Sequence, residues 1–134
     1  MAEIINGEFV RNETNQKSFG GTEQLTNKVA ERLPKDLLQD FQIVSSRVRE
    51  LDEDKIRIFW AHDLPGDPES EFLKTDVGRN QFHKYVFVSN WQMQGYIQRY
   101  NLKPSQCVVL RNFIDPIEEH EKPDDKINII YHTT

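Results

Sequence analysis

Apolar residues in this chain come in short runs, and the clearest of them bracket one helix. Tyr85-Val86-Phe87-Val88 is continuous and apolar, the pattern of a strand covered on both faces. Ser89 and Asn90 follow, residue types whose side-chain oxygens take up the free amides of a helix's first turn. Met93, Ile97 and Tyr100 then recur at helical spacing and form a one-sided apolar stripe, which Asn101 and Pro104 end. Cys107-Val108-Val109-Leu110 reads as a second buried strand. Residues 89–106 suffice for a helical crossover between parallel strands, which needs roughly a dozen residues. The Ser-Asn pair and the stretch Arg111-Asn112-Phe113-Ile114-Asp115 both follow a strand. They are expected at the carboxyl ends of the strands, where open α/β sheets bind ligands.

The same pattern, weaker, runs through the rest. Ile4-Ile5 and Phe9-Val10 flank Asn6-Gly7-Glu8, a small hairpin. After a polar loop at 11–17, Gly20-Gly21 precedes a helix with Leu25, Val29, Ala30 and Leu33 on its core face, ending at Pro34. Residues 40–48 read as a strand. Ile56, Ile58 and Trp60 alternate, with Phe59 on the other face, in another strand. Pro65, Gly66 and Pro68 stiffen the loop that follows. Residues 69–82 read as a helix or a half-ordered segment, because Gly78 interrupts a weak apolar spacing. Residues 116–125 are polar and acidic with prolines, a linker, and the run 126–131 reads as one more strand. The elements predict an α/β fold, a Rossmann-like three-layer sandwich with a mostly parallel sheet.

Composition narrows the function classes. The chain has 134 residues, enough for one domain with a real core. Its net charge is -5 and it has no basic block, which argues against a nucleic-acid partner. A single cysteine excludes an intrachain disulfide and a cysteine zinc site, and Cys107 reads as a small buried hydrophobe. His83, His120 and His132 are scattered without metal-ligand spacing, so no metal site is expected; His83 and His120 read as surface residues. No apolar run is long enough for a membrane span and no signal peptide opens the chain, so the expected setting is cytoplasmic.

Two stretches carry candidate chemistry. Glycines let a backbone approach a ligand, and a helix start adds free amides and a positive dipole end that suit a phosphate. Gly20 and Gly21 are therefore candidate phosphate-binding residues, although such a pair before a helix is commonly just a tight turn. His62 stands at a strand's carboxyl end beside Asp63. A neutral imidazole there can accept a proton or hold a hydroxyl; the alternative is a ring that only caps its own loop. Trp91, in the first helical turn, either lines a pocket or packs.

The stretch KYVFVSNWQMQGYIQRYNL…CVVLRNFID, with GGTE at 20–23, resembles the N-terminal, acceptor-side domain of retaining GT-B glycosyltransferases of the family 4 type. There a strand, a serine at a helix start, the helix and a closing strand end in Pro-Asn-Gly-(Ile/Val)-Asp. Asn112, Ile114 and Asp115 match, while Arg111 and Phe113 stand where Pro and Gly are usual. The strong apolar strand that normally opens such a domain is missing or degenerate. The resemblance covers roughly 16–134. It implies that residues 1–115 are half of a GT-B fold, and 116–134 a linker and first strand of a missing or truncated C-terminal donor domain.

The resemblance also implies a function. A sugar would pass from a nucleotide-diphosphate donor, a substrate and not a cofactor, to a sugar or other hydroxyl acceptor, without a metal. Gly20 and Gly21 would approach the donor phosphates and reacting sugar, with His62 beside that sugar as the catalytic candidate. Asp63, Ser89, Asn90 and Arg111 would face the acceptor. The nucleoside would bind mainly to a C-terminal domain or a second chain, so this half alone is expected to be inactive. The reading from another class is a non-enzymatic α/β module that binds a phosphate or a protein; an exposed apolar patch at Ile127–Ile130 would favour it. A dinucleotide-dependent oxidoreductase is weaker, because GxGxxG is absent.

Overall fold

The computed structural model describes residues 2–11 and 20–131. Ser18, Phe19, most of the polar loop before them and His132 to Thr134 lie outside the described residues. The fold is α/β, as the pattern predicts: a six-stranded, mostly parallel sheet flanked by helices, a Rossmann-like three-layer sandwich.

β1 (Ala2–Ile5) and β2 (Glu8–Arg11) form the expected hairpin. Its turn is Asn6-Gly7, both with positive φ (53° and 75°), the geometry whose twist matches paired strands. β1 pairs antiparallel with β3 (Phe41–Ser45). β4 (Ile56–Ala61), β5 (Lys84–Phe87) and β6 (Cys107–Val109) then add in parallel, giving the order β2-β1-β3-β4-β5-β6. Since β2 and β3 both run antiparallel to β1, they point the same way. β2 is therefore the short strand that leads into the glycine stretch, and α1 (Gly21–Arg32) is the crossover from β2 back to β3. The opening strand is thus present but only four residues long. A four-residue helix α2 (Lys35–Leu38) follows α1.

Paired residues share a face, so the registers divide the core. Val44, Phe59, Ala61, Tyr85 and Phe87 lie on one side and pack with Leu73, Phe82, Tyr96, Tyr100 and Leu102. α4 (Asn90–Tyr100) lies on this side. Ser89 caps α4 by accepting from the Gln92 amide (3.1 Å), and Asn101 ends it in the left-handed region (φ 56°), both as the sequence predicts. Residues 69–82 are broken: a 3-10 segment Pro68–Lys74 gives way at Thr75 to the short α3 (Asp76–Arg79). The break requires Gly78, where a Cβ would stand 1.8 Å from the Phe72 carbonyl oxygen. On the opposite face Ala2, Ile4, Ser45 and Trp60 are buried. α1 sits there, its Thr26 hydroxyl 2.8 Å from Ser45 Oγ.

Three expectations need correction. The helix α1 buries Leu25 and Thr26, but Leu33 is its C-cap, already extended (φ -91°, ψ 144°), and stays 41% exposed. The run at 107–110 is not a buried strand: β6 is the sheet's edge, and Val108 and Leu110 are about half exposed. Residues 126–131 form no strand, and Ile127, Ile129, Ile130 and Tyr131 are almost fully exposed. An isolated extended segment has no hydrogen-bonding neighbour and no face to bury.

Candidate functional site at the carboxyl edge of the sheet

β2, β3, β4, β5 and β6 all end on one edge, and the segments that leave them carry every residue the sequence singles out. Thr26, in the second turn of α1, bonds the end of β3. At ~1.5 Å rise per residue the helix start then projects about 8 Å beyond Ser45. Next along the edge, Ser46 takes a left-handed φ of 62° and its Oγ accepts the His62 amide proton at 2.9 Å. The edge therefore runs from the start of α1 through Ser46 to His62, then to Ser89 and Arg111.

Neither Gly20 nor Gly21 is there for a tight turn. Gly20 is extended (φ -80°, ψ -175°), and Gly21 opens the helix without a positive φ. Among the described residues a Cβ on Gly21 would meet nothing within 4 Å, and one on Gly20 only the movable Glu23 carboxylate at 3.1 Å. No described side chain caps α1, and none of the described residues fills the space at its start, where the dipole's positive end lies.

His62 stacks on Trp60, with ring centroids 4.7 Å apart. Among the described residues neither its buried Nε2 nor Nε1 of Trp60, which is 2% exposed, has a hydrogen-bond partner. Burial lowers the His62 pKa to about 4, so the ring is neutral at pH 7. A hydroxyl suits such a pair chemically, because it can accept from an indole N–H and donate to an imidazole lone pair. The alternative of a ring that only caps its own loop finds no support in the bonding: the loop is held by other groups.

Those groups come from α4. Gln92, 3% exposed, donates from Nε2 to the Asp63 carbonyl (2.8 Å) and accepts the Val88 amide proton on Oε1 (2.8 Å). One buried amide thus joins the loop after β4 to the end of β5. Tyr96 OH donates to the same Asp63 carbonyl (3.3 Å), and Tyr100 OH accepts from the Gly66 amide (2.9 Å) and bonds Ser70 Oγ (2.8 Å). Gly95 lets α4 approach closely: a Cβ there would stand 2.7 Å from Pro65 Cγ. Burial raises the Tyr96 phenol's pKa, so it stays a donor at any ordinary pH.

The structure brings Gly20, Gly21, His62, Asp63, Ser89 and Asn90 to one edge, but the Ser89 hydroxyl already caps α4. Arg111 is exposed at the far strand and stands apart. The chain beyond it turns to α1, where Asp115 pairs with Lys28 (2.7 Å) and Arg32, and Phe113 lies under the Arg32 guanidinium at 5.5 Å. Trp91 is 70% exposed, so it is not a core residue. Sequence reasoning placed Trp60 in a strand but gave it no role in the site, and it missed Thr26, Ser46 and Gln92. The only signal for them was polar residues at positions an apolar stripe should fill.

Elsewhere, a polar groove of about 420 Å³ lies at the opposite edge, lined by Asp76, Arg79, Asn101 and Lys103 among others. Its Arg79 is occupied by the Leu73 carbonyl (2.8 Å) and Asp76. Among the described residues no group of His, Cys, Asp or Glu gathers to hold a metal, and no helix is long and apolar enough to cross a membrane. No protein-family model, curated protein or solved structure matches the chain.

Proposed function

We propose that this chain is the acceptor-side half of a glycosyltransferase that moves a sugar from a nucleotide-diphosphate donor to a hydroxyl. One observation carries the reading. Gly20 and Gly21 have no conformational need to be glycine, yet they open a helix that no described side chain caps, at the same sheet edge as a half-buried, neutral His62 whose buried Nε2 has no partner among the described residues. The glycine backbone and helix dipole suit a diphosphate, and His62 suits a sugar hydroxyl because its ring carries no charge. In the reaction the bond from the anomeric carbon to the phosphate oxygen breaks and a bond to the acceptor oxygen forms. The acceptor's proton goes to the departing phosphate. This half supplies placement; a donor domain supplies the nucleoside site and excludes water.

The test is a titration of the isotope-labelled chain with a nucleotide-diphosphate sugar, followed by NMR. The amides of Gly20, Gly21 and Thr22 and the His62 ring are expected to shift at millimolar ligand, and Gly21→Val to lose the shift with the fold intact. No shift at those positions, or the same shift in Gly21→Val, overturns the reading.

A second reading is an interaction module without catalysis. The exposure of Ile127, Ile129, Ile130 and Tyr131 favours it, since such a run on the surface marks a contact with another polypeptide.

A further inference from the structure

β3 ends in a strained turn. The Arg47 amide donates to the Ser45 carbonyl at 2.8 Å, across Ser46 at a φ of 62°. A bond from the third residue back to the first over a positive φ is the rare form of the γ-turn. A side chain strains such a backbone where glycine does not. Yet the residue in this turn is a serine, and it is 7% exposed.

The register shows what the serine does. β3 and β4 pair in parallel with Ser45 opposite Trp60. The Ser46 amide donates to the Trp60 carbonyl at 3.0 Å, an ordinary rung of that ladder. The next rung of a regular parallel ladder would run from the His62 amide to the Ser46 carbonyl. Here the His62 amide donates to Ser46 Oγ instead, at 2.9 Å. A side-chain oxygen stands in for the main-chain one that the turn takes out of line. Ser46 thus grips both members of the stacked pair, Trp60 by its amide and His62 by its hydroxyl.

We propose that Ser46 is a positioning residue for His62: its hydroxyl replaces the lost rung, so that β3 turns away from the sheet edge while the imidazole stays on Trp60. The inference deepens the glycosyltransferase reading and rests on it for the ligand that His62 meets. Without the hydroxyl the His62 amide loses its acceptor, while Gln92 and Tyr96 still hold the Asp63 carbonyl. The loop stays and the ring is freed. A residue present only to end β3 would serve better as glycine, which makes the same turn without strain.

NMR of the full chain with Ser46→Gly and Ser46→Ala uses that contrast. In the native chain the Trp60 ring current is expected to displace the His62 ring protons from their ordinary positions. Ser46→Gly should lose this displacement and still melt close to the native chain. Ser46→Ala, which loses the bond and keeps the strain, should lose the displacement and melt lower. On titration with a nucleotide-diphosphate sugar, Ser46→Gly should lose the His62 ring shift. Its Gly20 and Gly21 amide shifts should persist at ligand concentrations up to about tenfold higher, the worth of one hydrogen bond. A native chain without the displacement overturns the proposal, as does a displacement or ligand-induced His62 shift that survives in Ser46→Gly. A Ser46→Gly chain that melts as low as Ser46→Ala assigns the hydroxyl to the fold and overturns it too. No native shift at Gly20, Gly21 or His62 with the sugar refutes the glycosyltransferase reading alone, and the ring-current result stands apart from it.

Discussion

The loop after β4 and the segment after β6 leave the same edge of one sheet. The first, 62–67, is held by Gln92, Tyr96 and Tyr100 and pressed by Gly95 against Pro65. The second is held by the Leu110 amide on the Phe87 carbonyl (2.8 Å) and by Phe113 and Asp115 at α1, and then runs exposed to Tyr131. What differs is the neighbour. β4 lies inside the sheet, so its loop meets α4, whose buried Gln92 amide bonds both the loop's backbone at Asp63 and the Val88 amide at the end of β5. β6 is the edge, with no strand beyond it. A loop at the interior is therefore held by packed neighbours, and a segment at the edge stays exposed.

The comparison breaks most sharply at Gln92. Gln92→Leu keeps the volume but strands the Asp63 carbonyl and the Val88 amide in a buried place. A loss of about 3 kcal/mol is expected in urea unfolding. Hydrogen exchange should quicken at Val88 and Gly66 and stay unchanged beyond Asp115. Equal quickening in both regions would mean that the clamp is not local.

His62 sharpens the comparison through pH. The folded state binds the His62 proton less tightly than the unfolded chain, whose value is near 6.5. Its contribution is therefore complete above that pH, declines as the pH falls toward about 4, and is flat below. The decline is on the order of 2 kcal/mol, allowing for partial exposure. His62→Phe should remove this part of the pH dependence of thermal unfolding; an unchanged slope would assign it to other groups.

The smallest effect is at Asp115. Its ion pairs with Lys28 and Arg32 are exposed, so Asp115→Ala should cost less than about 1 kcal/mol, and less still in high salt. A larger loss would show that the segment after β6 is part of the folded unit.

The strand–helix–strand unit at 84–110 was legible because continuous apolar runs, a serine cap and an Asn-Pro stop are local signals. Gly20-Gly21 and His62 were legible as candidates because strand ends can be placed from pattern alone. Gln92 was not, since a polar residue on a helix reads as solvated until the loop that satisfies it is in place. Thr26 and Ser46 were hidden likewise. The exposure of Val108 was hidden too: an apolar run shows that a strand exists but not whether it has a neighbour.

By itself the sequence determined most of the strands and helices and several of the places where they stop. These follow from side-chain periodicity and from caps that act within a few residues. Only the tertiary structure decided that β1 inserts antiparallel between β2 and β3, that β6 is an edge, and that α4 locks the His62 loop. Those outcomes depend on contacts between residues far apart in the chain, which no local pattern encodes. For the same reason the run at 127–131 reads as a strand and is not one here: a strand needs a neighbour.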